Sequence, residues 1–278
     1  MRSTLFIPLL LIVVSLAIHP HTQENPAKLF DEKEIVIIIP SYNNAAFFKQ
    51  NLDSVFSQYY EDFRVIYIDD NSTDETYKLV QEYSEKNNLW QRLEIIHNQS
   101  RRGALANIYD AIQTVSDHSI VVTLDGDDWL PHPQVLERVN YYYQSEDVWM
   151  TYGCYMVYPD QTIGAWRPIS NAIISSNTFR ESEWLSTHLR SFYAKLFKLI
   201  KKEDLFFEND FFQVTWDMAF MFPMLEMSAF HSKHIPEIMY VYNQSNPIND
   251  FKVRLEMVLK MDRLIRSRKK YEPLAALW

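Results

Sequence analysis

Between residues 35 and 124 the chain switches repeatedly between two periodicities, and that alternation leaves few folds open to it. Residues 35–39, Ile-Val-Ile-Ile-Ile, form an unbroken β-branched run, the pattern of a strand covered on both faces. Pro40 ends it. Residues 46–59 then place Phe47, Phe48, Leu52, Val55 and Phe56 at helical spacing. A second strand over 63–68 closes on Asp69-Asp70-Asn71. It leads to a helix capped by Ser72 or Thr73 that runs to residue 86, with Glu75 early in its first turn. Residues 93–96 read as a third strand, 104–115 as a third helix and 120–124 as a fourth strand. The alternation predicts an α/β fold, a mostly parallel sheet with right-handed crossovers flanked by helices. Ligands of such sheets bind at the carboxyl ends of the strands. Here those ends carry Pro40-Ser41-Tyr42, Asp69-Asp70 and Asp125-Gly126-Asp127-Asp128.

Beyond residue 150 the alternation weakens. Residues 178–200 and 214–227 look helical, 238–242 reads as a short strand, and 254–268 as a C-terminal helix. The expected organisation is a first half over 34–130, a second half over 131–245 with a smaller helical lobe, and a C-terminal segment with a helix over 246–278. The N-terminus differs from the rest. Arg2 precedes an apolar, uncharged run over 4–18, short for a bilayer span, which takes about 20 residues. It fits a secretory signal peptide with Ala17 near a cleavage site, or a short signal-anchor, followed by a polar linker over 19–33. Either reading expects a secretory, envelope or membrane-associated location.

Composition removes several function classes. A formal net charge of -9 argues against nucleic-acid binding, which uses a basic surface. With four glycines, neither a Walker loop nor a dinucleotide-binding Gly-x-Gly-x-x-Gly turn is present. A single cysteine, Cys154, rules out an intramolecular disulfide and any cysteine-rich zinc site.

The chemistry concentrates at the strand ends. Asp125, Asp127 and Asp128 repel one another unless a cation sits among them, and hard divalent ions take carboxylate oxygens while leaving room for substrate phosphate. The same residues also suit an acidic turn that caps the next helix. Asp70 can accept hydrogen bonds from a ribose hydroxyl or a base N–H, or serve as a helix N-cap. Tyr42 offers a ring at the same edge, for stacking or for packing. Arg101 and Arg102 either offset phosphate charge or lie solvated. Three Asn-x-Ser/Thr sequons stand at Asn71, Asn98 and Asn243, and a glycan on Asn71 would obstruct a ligand at the second strand end. The basic run Arg263, Arg266, Arg268, Lys269 and Lys270 suits either a solvated helix end or contact with anionic lipid.

Taken in order, Ile-Pro-Ser-Tyr-Asn-Asn (39–44), Ile-Asp-Asp-Asn-Ser-Thr-Asp (68–74), Arg-Arg-Gly-Ala-Leu-Ala-Asn (101–107) and Leu-Asp-Gly-Asp-Asp-Trp-Leu-Pro (124–131) resemble the family 2 glycosyltransferases, firmly over 34–160 and more loosely beyond. The resemblance implies the Rossmann-related GT-A fold, a nucleotide-diphosphate sugar donor, most often a UDP-sugar, and inversion at the anomeric carbon. It would set Pro40, Tyr42, Asp70 and Asp125 around the nucleotide with Arg102 near the phosphates. Asp127, with Asp125, would hold Mn2+ or Mg2+. Asp217, at the start of a helix in the second half, would be the general base, with Asp210 as the alternative, and His188 would face the diphosphate. The chain lacks the Gln-x-x-Arg-Trp motif of processive synthases, which favours transfer of one or a few sugars to a glycan, lipid or protein acceptor. Residues 242–247 suit a lid over the donor. Two other readings remain: a sugar-nucleotide nucleotidyltransferase, whose glycine-rich signature is missing, and an inactive scaffold that keeps the fold.

Overall fold

The computed structural model describes residues 31–164, 167–247 and 254–278, and Glu32–Trp278 form one compact unit. The first 30 residues, with the expected signal segment, lie outside the described residues.

Strands β1 (Ile35–Ser41), β2 (Phe63–Asp69), β3 (Leu93–His97) and β4 (Ile120–Thr123) pair in parallel in the order β3-β2-β1-β4. Helices α1 (Phe48–Phe56), α2 (Thr76–Asn87) and α3 (Ala104–Thr114) supply the crossovers. Ile35, Val36, Ile37, Ile38 and Ile39 are all fully buried, as an unbroken apolar run requires. Burial of each such side chain contributes about 1.5–3 kcal/mol, so β1 is the axis of the core. The α2 cap falls later than the sequence suggests. Asp74, not Ser72 or Thr73, accepts from the Thr76 N–H at 3.0 Å, while its other oxygen takes the Ala45 N–H at 3.1 Å.

The second half extends the same sheet. Beside β4 runs β7 (Arg190–Tyr193), antiparallel, then β5 (Met150–Tyr158) and β10 (Ser232–Asn243), which is parallel to β5. A two-residue strand, β6 (Ile163–Gly164), lies on β5, and β8 (Phe206–Phe207) with β9 (Asp210–Phe211) makes a separate small hairpin. The helical reading of 178–200 is therefore corrected. Its middle is a strand, and only α6 (Ala194–Lys198) is helical there. The reason is tertiary: β7 fills the slot between β4 and β5, where its backbone groups find ladder partners that an isolated helix would not supply.

Helices α4 (Val135–Ser145), α5 (Asn171–Ser176) and α7 (Trp216–Ser228) cover the second half, with α8 (Leu255–Ser267) packed on α7. From Met218 to Ser228 every residue of α7 is buried, the signature of a helix enclosed on all sides. Arg266, Arg268 and Lys270 of the basic run are occupied internally: their side chains reach the carbonyls of Arg180, Ser182, Phe206 and Asn177. Among the described residues, no helix is long and apolar enough to cross a membrane.

Candidate active site

The carboxyl end of β4 runs directly into Asp125-Gly126-Asp127-Asp128, and the surrounding elements clamp this turn from three sides. From α1, the buried Asn51 amide donates to the carbonyls of Asp125 at 3.0 Å and Asp128 at 2.8 Å. From β1, the Pro40 carbonyl accepts the Gly126 N–H at 3.2 Å. A Cβ on Gly126 would lie 2.6–2.8 Å from Asn44 and Ser41, so only glycine lets the turn sit this close to β1. From β10, Trp129 and Val241 exchange backbone hydrogen bonds.

The three carboxylates part company there. Asp128 is buried and inward: it accepts from the Tyr240 hydroxyl at 2.5 Å and the Asn243 N–H at 2.7 Å. It is a structural anchor, which removes it from the cation-binding candidates. Burial first, then the charges of Asp127 and Asp125, push its carboxyl well above the ordinary range. Asp127 and Asp125 remain partly open to solvent. Asp127 accepts the Asn246 amide at 2.7 Å. Asp125, whose side chain is 26% exposed, has His188 Nε2 at 3.9 Å. Its carboxyl is pushed up to about 7, chiefly by burial and next by the charge of Asp127, against a lowering pull from Arg190. That unbalanced negative charge suits a divalent cation. Among the described residues no three His, Cys, Asp or Glu side chains converge to enclose a metal. The donor set thus fits an ion held by Asp127 and Asp125 and completed by water and ligand phosphates.

Across the crevice, Asp217 stands in the first turn of α7 and bonds Arg190 Nη2 at 2.5 Å. Arg190 sits opposite Thr123 in the β4–β7 ladder, which brings a residue from the second half to the edge where Asp125 emerges. Its side chain is 3% exposed, against 23% for Asp217. His188 stacks on Tyr240 at 4.2 Å, and burial with the nearby Arg190 charge holds its imidazole well below its ordinary value, so it is neutral. Tyr155 meets both His188 and Tyr242 edge to face.

The nucleotide-side residues are less uniform than the sequence implies. Pro40 is buried within β1, and Tyr42 is capped by the Arg101 guanidinium at 3.8 Å. Asp70 draws the next turn onto β2, accepting from Asn98 at 2.8 Å and from the N–H groups of Arg102 and Gly103 at 2.9 and 2.8 Å. Burial would raise its pKa, but these donors and the Asn107 amide more than offset that and lower it. Arg102 contributes its backbone here. Its guanidinium pairs with Asp110 at 2.6 Å on α3, and Arg190 is the arginine whose charge bears on Asp125. Asp210 lies exposed on the β8–β9 hairpin, accepting from Phe211 and Gln213. The 242–247 segment is tied down rather than loose. Asn243 and Asn246 bond Asp127 and Asp128, and with Asn98 they place two sequon asparagines inside the site network. Arg190, Asn51 and Asn246 were beyond sequence reasoning. The only signal for Arg190 was the polar His-Leu-Arg triplet opening an apolar run.

The sheet thus brings a carboxylate pair to the β4 end and a carboxylate–arginine pair from the second half of the chain. The glycosyl transferase family 2 model matches residues 36–214, and the chain belongs to that family. It is similar to the glycosyltransferase GlyA of Streptococcus pneumoniae, at 26% identity over 193 residues, 65% of this chain and 26% of that protein. It is also similar to a poly(ribitol-phosphate) beta-glucosyltransferase of Bacillus spizizenii, at 26% identity over 151 residues, 54% of this chain and 22% of that one. The chain thus spans about a quarter of the length of these two relatives. Among solved structures, S. aureus TarS 1-349 in complex with UDP-GlcNAc superposes with a TM-score of 0.60 at 15% identity, covering 84% of this chain and 65% of that one. The mannosyltransferase PcManGT of Pyrobaculum calidifontis, in complex with GDP-Man and Mn2+, gives 0.59 at 18% identity, covering 88% and 67%.

Proposed function

We propose that this chain transfers a sugar, one or a few units at a time, from a nucleotide-diphosphate sugar to an acceptor hydroxyl with inversion. The observation that carries the reading is the pairing of Asp125 and Asp127 at the β4 end with Arg190-bound Asp217 on the facing helix. An acceptor oxygen attacks the anomeric carbon as the bond to the diphosphate breaks, and its proton passes to the Asp217 carboxylate. Asp217 suits that role: it is partly open to the crevice and held in one orientation by Arg190. Pro40, Tyr42 and Asp70 border the nucleoside, and a UDP-sugar is the favoured donor.

Asp127, with Asp125 beside it, would hold Mn2+ or Mg2+, which supplies positive charge to the departing diphosphate when bound. His188, neutral and stacked, lines the path between Asp125 and the Tyr155–Tyr242 face without adding charge. TarS in complex with UDP-GlcNAc and PcManGT in complex with GDP-Man and Mn2+ support a nucleotide-sugar donor and a divalent ion. A hexose or N-acetylhexosamine is the sugar class this implies. The acceptor is a glycan, lipid or protein, and the apolar run at 4–18 would direct or tether the domain to a membrane or envelope.

The test is binding and turnover across UDP-, GDP- and dTDP-sugars with Mn2+ and with chelator. One donor should be bound and hydrolysed in a metal-dependent manner, and Asp127→Ala should abolish this. Binding of no donor under any metal condition would remove the reading.

A further inference from the structure

Neither the donor nor the cation accounts for Arg190. It enters from β7, pinned by the ladder to Thr123 of β4, so its backbone is fixed by the sheet and not by a loop. Its side chain is almost wholly buried, which disfavours an arginine unless its charge is used. One use is visible, the 2.5 Å bond from Nη2 to Asp217 Oδ2. The burial leaves polar atoms unmatched. Arg190 Nε, His188 Nδ1 and Thr123 Oγ1 are buried and have no hydrogen-bond partner among the described residues. Arg92 Nε is buried and unmatched in the same way, so what singles out Arg190 is its bond to Asp217 in the first turn of α7.

We propose that Arg190 is the positioning residue of this centre: its guanidinium, on a backbone fixed by β7, aims the Asp217 carboxylate at the acceptor hydroxyl. The assignment rests on Asp217 as the base. It acts through Asp217 and makes no claim on the donor. Arginine is needed because a fork of fixed donors sets direction as well as charge, whereas lysine supplies a point charge on a flexible stem.

The experiment is a double-mutant cycle with the donor that the panel selects, Mn2+, and water as acceptor. The variants are Asp217→Asn, Arg190→Gln, Arg190→Lys, Arg190→Ala and Asp217→Asn/Arg190→Gln. Donor affinity is read separately from intrinsic tryptophan fluorescence. Arg190→Gln should lower kcat by about 10- to 100-fold while donor KM and affinity move less than about 3-fold, the pattern of a transition-state effect. In the Asp217→Asn background the same change should cost less than about 3-fold, because its target is gone. Arg190→Lys should recover part of the rate, and millimolar guanidinium should rescue Arg190→Ala. Should Arg190→Gln fold poorly in thermal melts, the lysine variant and guanidinium rescue carry the test.

Two failures are distinguishable. If Asp217→Asn keeps the wild-type rate, the base reading falls and Arg190 loses its role with it. If Asp217→Asn is crippled but Arg190→Gln keeps wild-type kcat, or its loss is undiminished in the Asp217→Asn background, only the Arg190 assignment is overturned.

Discussion

Helix α7 carries two arginine–carboxylate pairs, nine residues apart, that look alike in sequence and are opposite in construction. Glu226 is fully buried and meets Arg180 twice, at 2.5 and 2.9 Å, while the third guanidinium nitrogen of Arg180 donates to the Ile265 carbonyl at 2.7 Å. Glu226 also accepts the Tyr271 N–H at 2.9 Å, so the pair ties α7, α8, the C-terminal tail and the loop before β7 into one joint. Asp217 and Arg190 share a single bond, the carboxylate is partly open to solvent, and Arg190 Nε is unmatched. The first pair is closed and fully satisfied. The second is left incomplete where a ligand would sit. The two pairs on this helix thus differ in how completely their donors are matched.

That contrast can be broken from either side. The largest effect is expected at the open pair. Asp217→Asn should lower turnover by about 10^2- to 10^4-fold with donor affinity and melting temperature nearly unchanged, since loss of a general base removes a chemical step and little packing. Equal loss of donor binding would make Asp217 a binding residue instead. At the closed pair the expectation reverses. Glu226→Gln should destabilise the fold by about 3–5 kcal/mol in urea denaturation, because Arg180 is left buried with its charge uncompensated. The rate per folded molecule should stay at the wild-type level. The double change Arg180→Met/Glu226→Leu should recover much of that stability, since an apolar replacement strands no charge.

Smaller effects follow at the acidic turn. Gly126→Ala inserts a methyl within 2.6–2.8 Å of Asn44 and Ser41, and it should push the turn off β1. About 1–3 kcal/mol of stability should be lost, together with cation affinity measured by titration calorimetry. The smallest is a pH effect. The folded Asp125 carboxyl holds its proton up to about 7 against an ordinary value of 3.8. Its contribution to stability is therefore greatest near pH 4 and erodes as pH rises to about 7. Without divalent cation the wild type should lose on the order of 2 kcal/mol more than Asp125→Asn between pH 5 and pH 8, allowing for water at the partly open carboxyl. Mn2+ should raise the melting temperature more at pH 8 than at pH 5. An identical pH profile in Asp125→Asn would place the effect elsewhere.

What the sequence made legible follows from range. The first four strands and three helices are local patterns, and Ile35 to Ile39 could be little else than a doubly covered strand. Asp125 and Asp127 announced themselves because strand, glycine and carboxylates are contiguous. The fate of Asp128 was not readable, because its partner Tyr240 lies 112 positions away. Arg190 was hidden for the same reason. Residues 178–200 carry helical spacing, and only the slot between β4 and β5 turns their middle into a strand. Arg102 was the natural arginine to place near phosphate, but Asp110, one helical face along on α3, takes its guanidinium. The basic C-terminal run suits a solvated helix end or a lipid contact by sequence, and the carbonyls of Arg180, Phe206 and Asn177 take Arg266, Arg268 and Lys270 from it. For Asp128, Arg190 and the basic run the decisive partner was distant in the chain and close in the fold, whereas for Arg102 it was a local helix carboxylate.

The central claim is that the β4 acidic turn serves a nucleotide-sugar donor through a divalent cation. The most direct measurement is nucleoside-diphosphate release from a panel of UDP-, GDP- and dTDP-sugars, with Mn2+ and with chelator, for the wild type and Asp127→Ala. Release from one donor should need the metal and disappear in the variant. Release that survives both the chelator and Asp127→Ala, or no donor bound by the folded wild type, would contradict it.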